Sequence, residues 1–139
     1  MSNETILRDF MQQVWNEQRV NLVPQYVAET YTVHLDKGDA YEGQTLGHLE
    51  YTRRLQDSFG PFPDIHFEIT KSVADGDRVA ISWIMTGTNK GPIAGFPATG
   101  KSIRTEGMTI YHFKDGKVCG HHQVFDRTAV VWQLGFMPV

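Results

Sequence analysis

The chain has little of what marks several common functions. One of its 139 residues is cysteine, Cys119, so no internal disulfide can form and a reducing setting is the default expectation. No apolar run approaches the roughly 20 residues needed to cross a bilayer, and the opening MSNETILRDF lacks the apolar core of a signal peptide. A cytoplasmic protein without a membrane partner is therefore expected. Thirteen Lys and Arg against sixteen Asp and Glu give a net charge of −3, with no cluster of five basic residues anywhere. That balance argues against a nucleic-acid partner, which needs a concentrated basic surface. The six histidines form no metal-like group. His121 and His122 are adjacent, so on a strand they point to opposite faces, and no H-x-x-x-H or Cys cluster supports them. Neither metal nor cofactor is expected.

What is present reads as one α+β domain over residues 1–139, with 40% hydrophobic and 21% charged residues. Ile6, Leu7, Phe10, Met11, Val14 and Trp15 recur at helical spacing from Glu4 to Trp15, with Ser2 or Asn3 as N-cap. A second short helix is predicted near Asn21, with Pro24 in its first turn, and a third over Thr45 to Phe59, ended by Gly60-Pro61-Phe62-Pro63. Asp64 to Ala74 and Arg78 to Thr88 alternate as strands around the turn Asp75-Gly76, and a hairpin flanks Asp115-Gly116. Helices first and an antiparallel meander after them predict helices on one face of a sheet.

Gly95 to Ser102 satisfies the phosphate-loop pattern G-x-x-x-x-G-K-[ST], but that motif must open a helix. Ser102 is followed by Ile103, Thr109, Ile110 and Tyr111, which is strand composition, so no phosphate site is expected. His48 and His66 lie on polar sides of their elements and read as solvated. His34, after Tyr31-Thr32-Val33 at the expected end of the second helix, fits either a pocket mouth or the surface.

Several short motifs occur in a telling order: Val14-Trp15-Asn16, Asp77-Arg78-Val79-Ala80, Trp83, Gly87-Thr88, Gly91, Thr99-Gly100-Lys101, Phe113-Lys114-Asp115-Gly116-Lys117-Val118, Asp126 and Gln133-Leu134-Gly135. Together they resemble the SnoaL-like polyketide cyclases, or ester cyclases, over nearly the whole length. The resemblance implies an NTF2-like cone, with three N-terminal helices packed on a curved, mainly antiparallel sheet. It further implies aldol ring closure of a polyketide ester without metal or cofactor, and a homodimer, or higher homo-oligomer, formed through the convex sheet face. The family's carboxylate position falls on Gln123, its histidine position on Thr109, its asparagine on Val33 or His34, and a further histidine position on Asn89. Glu50 takes a position that lines the site.

An amide cannot take a proton from carbon at neutral pH, so Gln123 can polarise but cannot be the base. A two-residue turn at Asp115-Gly116 would place Thr109 and Gln123 on opposite faces. A three-residue loop, with a bulge at Gly116 and Phe113 paired to Lys117, restores the parity the resemblance requires. Thr109, Tyr111, Cys119, His121, Gln123 and Phe125 would then share the pocket face, with His121 across from Thr109. His112 and Asp126 would lie opposite, Asp126 capping the turn before Ala129.

The expected function is cofactor-free aldol-type cyclisation or enolisation of a small, apolar carbonyl compound. His121, with an ordinary pKa near ~6.5, is the acid/base group, and Gln123 and Thr109 hold the oxygen. Trp15, His34, Glu50, Trp83 and Tyr111 are the expected substrate contacts. A non-catalytic ligand-binding module is the alternative, because Gln123 replaces the carboxylate. A hydrolase or isomerase working through Glu50 is the third.

Overall fold

In the computed structural model, which describes residues 1–136, four helices pack on a six-stranded open mixed sheet. α1 (Asn3–Phe10) starts at Ser2, whose hydroxyl accepts from the Thr5 amide, and runs into a π-helical turn over Met11–Asn16. Leu7, Phe10, Met11, Val14 and Trp15 are buried along this stretch, as the helical spacing predicts. α2 (Val23–Tyr26) has only four residues. The chain then enters β1 (Val27–Asp36), a ten-residue strand where the sequence suggested the end of a helix. Val27, Tyr31, Thr32 and Val33 are β-branched or aromatic and favour the pleated surface over helix. β2 (Thr45–Leu46) precedes α3 (His48–Phe59), which begins three residues later than predicted.

β3 (His66–Asp75), β4 (Arg78–Thr88), β5 (Ser102–Lys114) and β6 (Lys117–Phe125) follow, and α4 (Arg127–Leu134), which the sequence reading missed, closes the described chain. Strand β5 opens at Ser102, so the phosphate-loop pattern has no helix behind it. The sheet order is β2-β1-β6-β5-β4-β3. All neighbours are antiparallel except β1 and β6, which run parallel. On β4, Val79, Ile81, Trp83 and Met85 face the helices, and they join Leu7, Phe10, Val14, Trp15, Tyr51 and Leu55 in one core. Among the described residues, no helix is long and apolar enough to cross a membrane.

The β5–β6 turn corrects the expected register. Asp115 and Gly116 have φ of 51° and 75°, a two-residue turn, with Lys114 opposite Lys117 and Phe113 opposite Val118. The compensating bulge lies further along, at Cys119, between the pairs Phe113–Val118 and His112–Gly120. Parity is restored by that extra residue. Thr109 consequently faces Gln123, and His121 faces Tyr111 rather than Thr109.

Candidate functional site

The site grows from the parallel pairing of β1 with β6. That register sets Val33 beside His121 and Asp36 beside Gln123, which brings an aspartate of one strand against the polar pair of the other. Asp36 is 1% exposed, and its carboxylate collects four donors from three elements, β6, α3 and α4. Oδ2 accepts from His121 Nε2 at 2.8 Å, from Gln123 Nε2 at 3.1 Å and from Arg54 Nη2 at 3.1 Å; Oδ1 accepts from Arg127 Nη2 at 2.8 Å. A buried charge persists only when it is paired and hydrogen-bonded in this way.

The carboxylate can only accept, which fixes every proton in the chain leading to it. Nε2 of His121 carries the proton donated to Asp36, so in the neutral imidazole Nδ1 accepts from the Tyr31 hydroxyl at 2.6 Å. On the other arm, Trp83 Nε1 donates to the Thr109 hydroxyl at 2.9 Å, and Thr109 donates to Gln123 Oε1 at 2.7 Å. The Gln123 amide nitrogen therefore turns to Asp36. Opposite Gly107 the Trp83 ring lies flat enough that a Cβ there would sit 2.4 Å from it. The absent side chain lets the indole reach Thr109.

Burial and charge act on the pair in opposite senses. Burial is the largest influence on Asp36 and would raise its pKa, but the His121 hydrogen bond and the Arg54 and Arg127 guanidinium groups together hold it below the ordinary carboxylate range. Burial lowers His121 below its usual value, partly opposed by the hydrogen bond to Asp36. Both effects favour a neutral imidazole beside a carboxylate near neutral pH. Arg54 also bonds Asp39 Oδ2 at 3.1 Å, and burial drives Tyr31 well above its ordinary pKa.

Beside this network lies a cavity of about 90 Å³. Its apolar wall includes Met11, Ile65, Phe67, Met85 and Phe125, joined by Trp15, Trp83 and Tyr111 from the expected contacts. Trp15, Phe67, Trp83 and Phe125 form an edge-to-face or tilted series with centroids 5.1–5.5 Å apart. The polar wall is Asp39, Arg54, Ser58, His121, Gln123 and Arg127. The space equals about three waters at ~30 Å³ each, well under the ~300–1,000 Å³ of drug-sized pockets.

Two expected contacts are elsewhere. His34 is exposed on the other face of the sheet, its ring stacked at 4.8 Å on His112 and 5.0 Å on His122, because it follows the inward-facing Val33; the β1 bulge between Val33 and Leu35 is what then brings Asp36 inward. Glu50 is exposed on α3 and does not line the cavity. Thr109 lies behind Gln123, with its hydroxyl engaged on both sides, and Cys119 is the bulge residue, absent from the cavity wall. Asp126 accepts from the Ala129 amide at 3.0 Å and caps α4 as expected. His112 lies with His34 and His122 on the outer face.

Sequence reasoning missed Asp36, Arg54 and Arg127. Asp36 stands in Leu35-Asp36-Lys37-Gly38, which resembles a surface turn, and only the unforeseen strand β1 carries it inward. Among the described residues no three His, Cys, Asp or Glu side chains are placed to hold a metal ion.

The pattern of the SnoaL-like polyketide cyclase family matches residues 5–134. The chain belongs to that family. A candidate polyketide cyclase from Acidithiobacillus ferrooxidans is 40% identical over 96% of this chain and 97% of its own, with a TM-score of 0.89. A SnoaL-like polyketide cyclase from Agrobacterium tumefaciens is 22% identical over 97% of this chain and 99% of its own, with a TM-score of 0.77, and shares the fold. A candidate polyketide cyclase from Streptomyces antibioticus, 19% identical over 97% of this chain and 99% of its own, does so with a TM-score of 0.81. No protein with a curated description matches the sequence.

Proposed function

We propose that the chain, as one SnoaL-like domain, is a cofactor-free enzyme that removes a proton beside the carbonyl of a small compound, for enolisation or aldol-type ring closure. The observation that supports this most is the His121 imidazole, bonded through Nε2 to a buried carboxylate at 2.8 Å, at the wall of a half-apolar cavity. His121 takes the proton at Nδ1 when the Tyr31 hydroxyl gives up that nitrogen. Asp36 stabilises the imidazolium through Nε2. Gln123, oriented by Thr109 and Asp36, offers its second amide proton to the developing enolate oxygen. Thr109 is then a positioning residue, and Trp15, Trp83 and Tyr111 hold the apolar body.

The test follows deuterium exchange at the α-carbon of methyl acetoacetate in heavy water. His121→Ala should cost about 10²–10⁴-fold in the catalysed rate. The rate of the native protein should fall with acid below ~6.5, because burial lowers the imidazole from its ordinary value. Full exchange by His121→Ala would sink the assignment.

A non-catalytic binding module is the second reading. It is favoured by two observations: both ring nitrogens of His121 are engaged, and Gln123 stands where the resemblance places a carboxylate. For association, we take the outer sheet face, with exposed Val73, Met108, Ile110 and Val124, as the side where two copies meet. The lone Cys119 fits a cytoplasmic setting.

A further inference from the structure

The polar wall of the cavity has more donors than acceptors. Arg54 is 7% exposed and Trp15 6% exposed, yet Arg54 Nε and Trp15 Nε1 have no hydrogen-bond partner. The Tyr51 hydroxyl lies beside Trp15, so Arg54 Nε is the donor left wholly without a partner. Arg54 Nη1 and the second amide proton of Gln123 also lack an acceptor among the described residues. So does Nη1 of Arg127, whose Nε donates to the Lys37 carbonyl at 2.7 Å and whose Nη2 donates to Asp36.

Acceptors are few by comparison. Both Asp36 oxygens are occupied, Asp39 already takes Arg54 Nη2 and the Tyr41 amide, and the Ser58 hydroxyl donates to the Arg54 carbonyl. A buried donor without a partner is costly, so such a wall suits a ligand that brings acceptor oxygens. A carboxylate is acceptor-only and matches guanidinium geometry. Arg127 is placed to meet it first. Its side chain is 36% exposed, it lines the cavity, and its guanidinium carbon is held 4.1 Å from the Phe125 ring centroid.

We propose that the pocket selects small carbonyl compounds that also carry a carboxylate, with Arg127 as the specificity-determining residue and Arg54 as its buried partner. This rests on the same cavity as the proposed enzyme, and it names the class of compound that cavity takes.

The test compares acetoacetate with methyl acetoacetate, one charged and one neutral β-keto compound, by calorimetric binding and by α-carbon deuterium exchange. Acetoacetate should bind the native protein roughly ten- to a hundredfold more tightly than the ester. Arg127→Gln should weaken acetoacetate binding more than ester binding and so remove most of that preference; Arg127→Lys should fall between. The native protein alone settles the compound class, so an unfolded variant does not blunt the test. Equal affinity for acid and ester, or binding of neither, would overturn the proposal, as would a preference that survives in folded Arg127→Gln. Tight acetoacetate binding without exchange would keep the carboxylate site and sink the catalytic reading. Exchange on both compounds with equal KM would do the reverse.

Discussion

The inner and outer faces of β1, β6 and β5 use the same residue types and arrive at opposite results. Inside, one histidine, His121, is tied into a continuous set of hydrogen bonds from Trp83 and Tyr31 to Asp36, with two guanidinium groups around the same carboxylate. Outside, three histidines, His34, His112 and His122, stack with centroids 4.8–5.0 Å apart, with one bond of 2.9 Å between His112 and His122 and Arg78 close by. Clustering in sequence thus does not mark the site. What distinguishes the inner histidine is a buried charge that has to be answered by many donors, which no single stretch of chain can supply.

The largest effect should come from breaking that difference at its centre. Asp36→Asn removes the charge that answers Arg54 and Arg127 and leaves the guanidinium groups poorly paired in a buried place. A loss of about 3–5 kcal/mol is expected by chemical denaturation. His122→Ala, one residue from His121 but on the outer face, should stay within about 0.5 kcal/mol. Equal losses in the two variants would show that the faces are not energetically distinct.

The same contrast explains what the sequence could disclose. The β3–β4–β5–β6 meander was legible because its alternation is local, and Asp126 was legible as a cap because capping needs only the next three residues. The inward placement of His121 and Gln123 was reached with the wrong turn, since a bulge anywhere in the hairpin restores parity and its position at Cys119 has no strong signature. Asp36 was not legible. Its burial follows from a parallel pairing between β1 and β6, some 85 residues apart for Asp36 and His121, and pairing at that distance leaves no periodic trace in either segment. In the sequence Arg54 is one polar residue among many on α3, and the resemblance points to Glu50, one turn earlier, instead; the carboxylate that separates them is on another strand.

An acid titration sharpens the comparison. Burial lowers His121 inside, and burial with Arg78 and the neighbouring rings lowers His34 and His112 outside, His112 to about 4. For each, the folded state resists a proton that the unfolded chain accepts near ~6.5. Their stability contribution is therefore complete above ~6.5 and falls as pH drops from there towards the folded values. Asp36, also lowered, adds a second loss only below ~3.9, where the unfolded carboxyl protonates. Melting temperature should fall in these two stages. The double variant His34→Gln, His112→Gln should flatten the first stage if the outer stack supplies it. An unchanged slope would assign that stage to His121.

The smallest effect tests how the inner face is closed. Asp126 ends β6 and accepts from the Ala129 amide, so its cap fixes where α4 starts and sends Arg127 back over Phe125 towards Asp36. Removing a cap of this kind costs about 1 kcal/mol. Asp126→Ala should show that modest loss in denaturation. If the cap also aims Arg127, the variant should weaken acetoacetate binding more than methyl acetoacetate binding, although Asp126 touches neither the cavity nor the carboxylate. Equal weakening of both compounds would confine Asp126 to holding the helix and leave Arg127 positioned by Lys37, Phe125 and Asp36 alone.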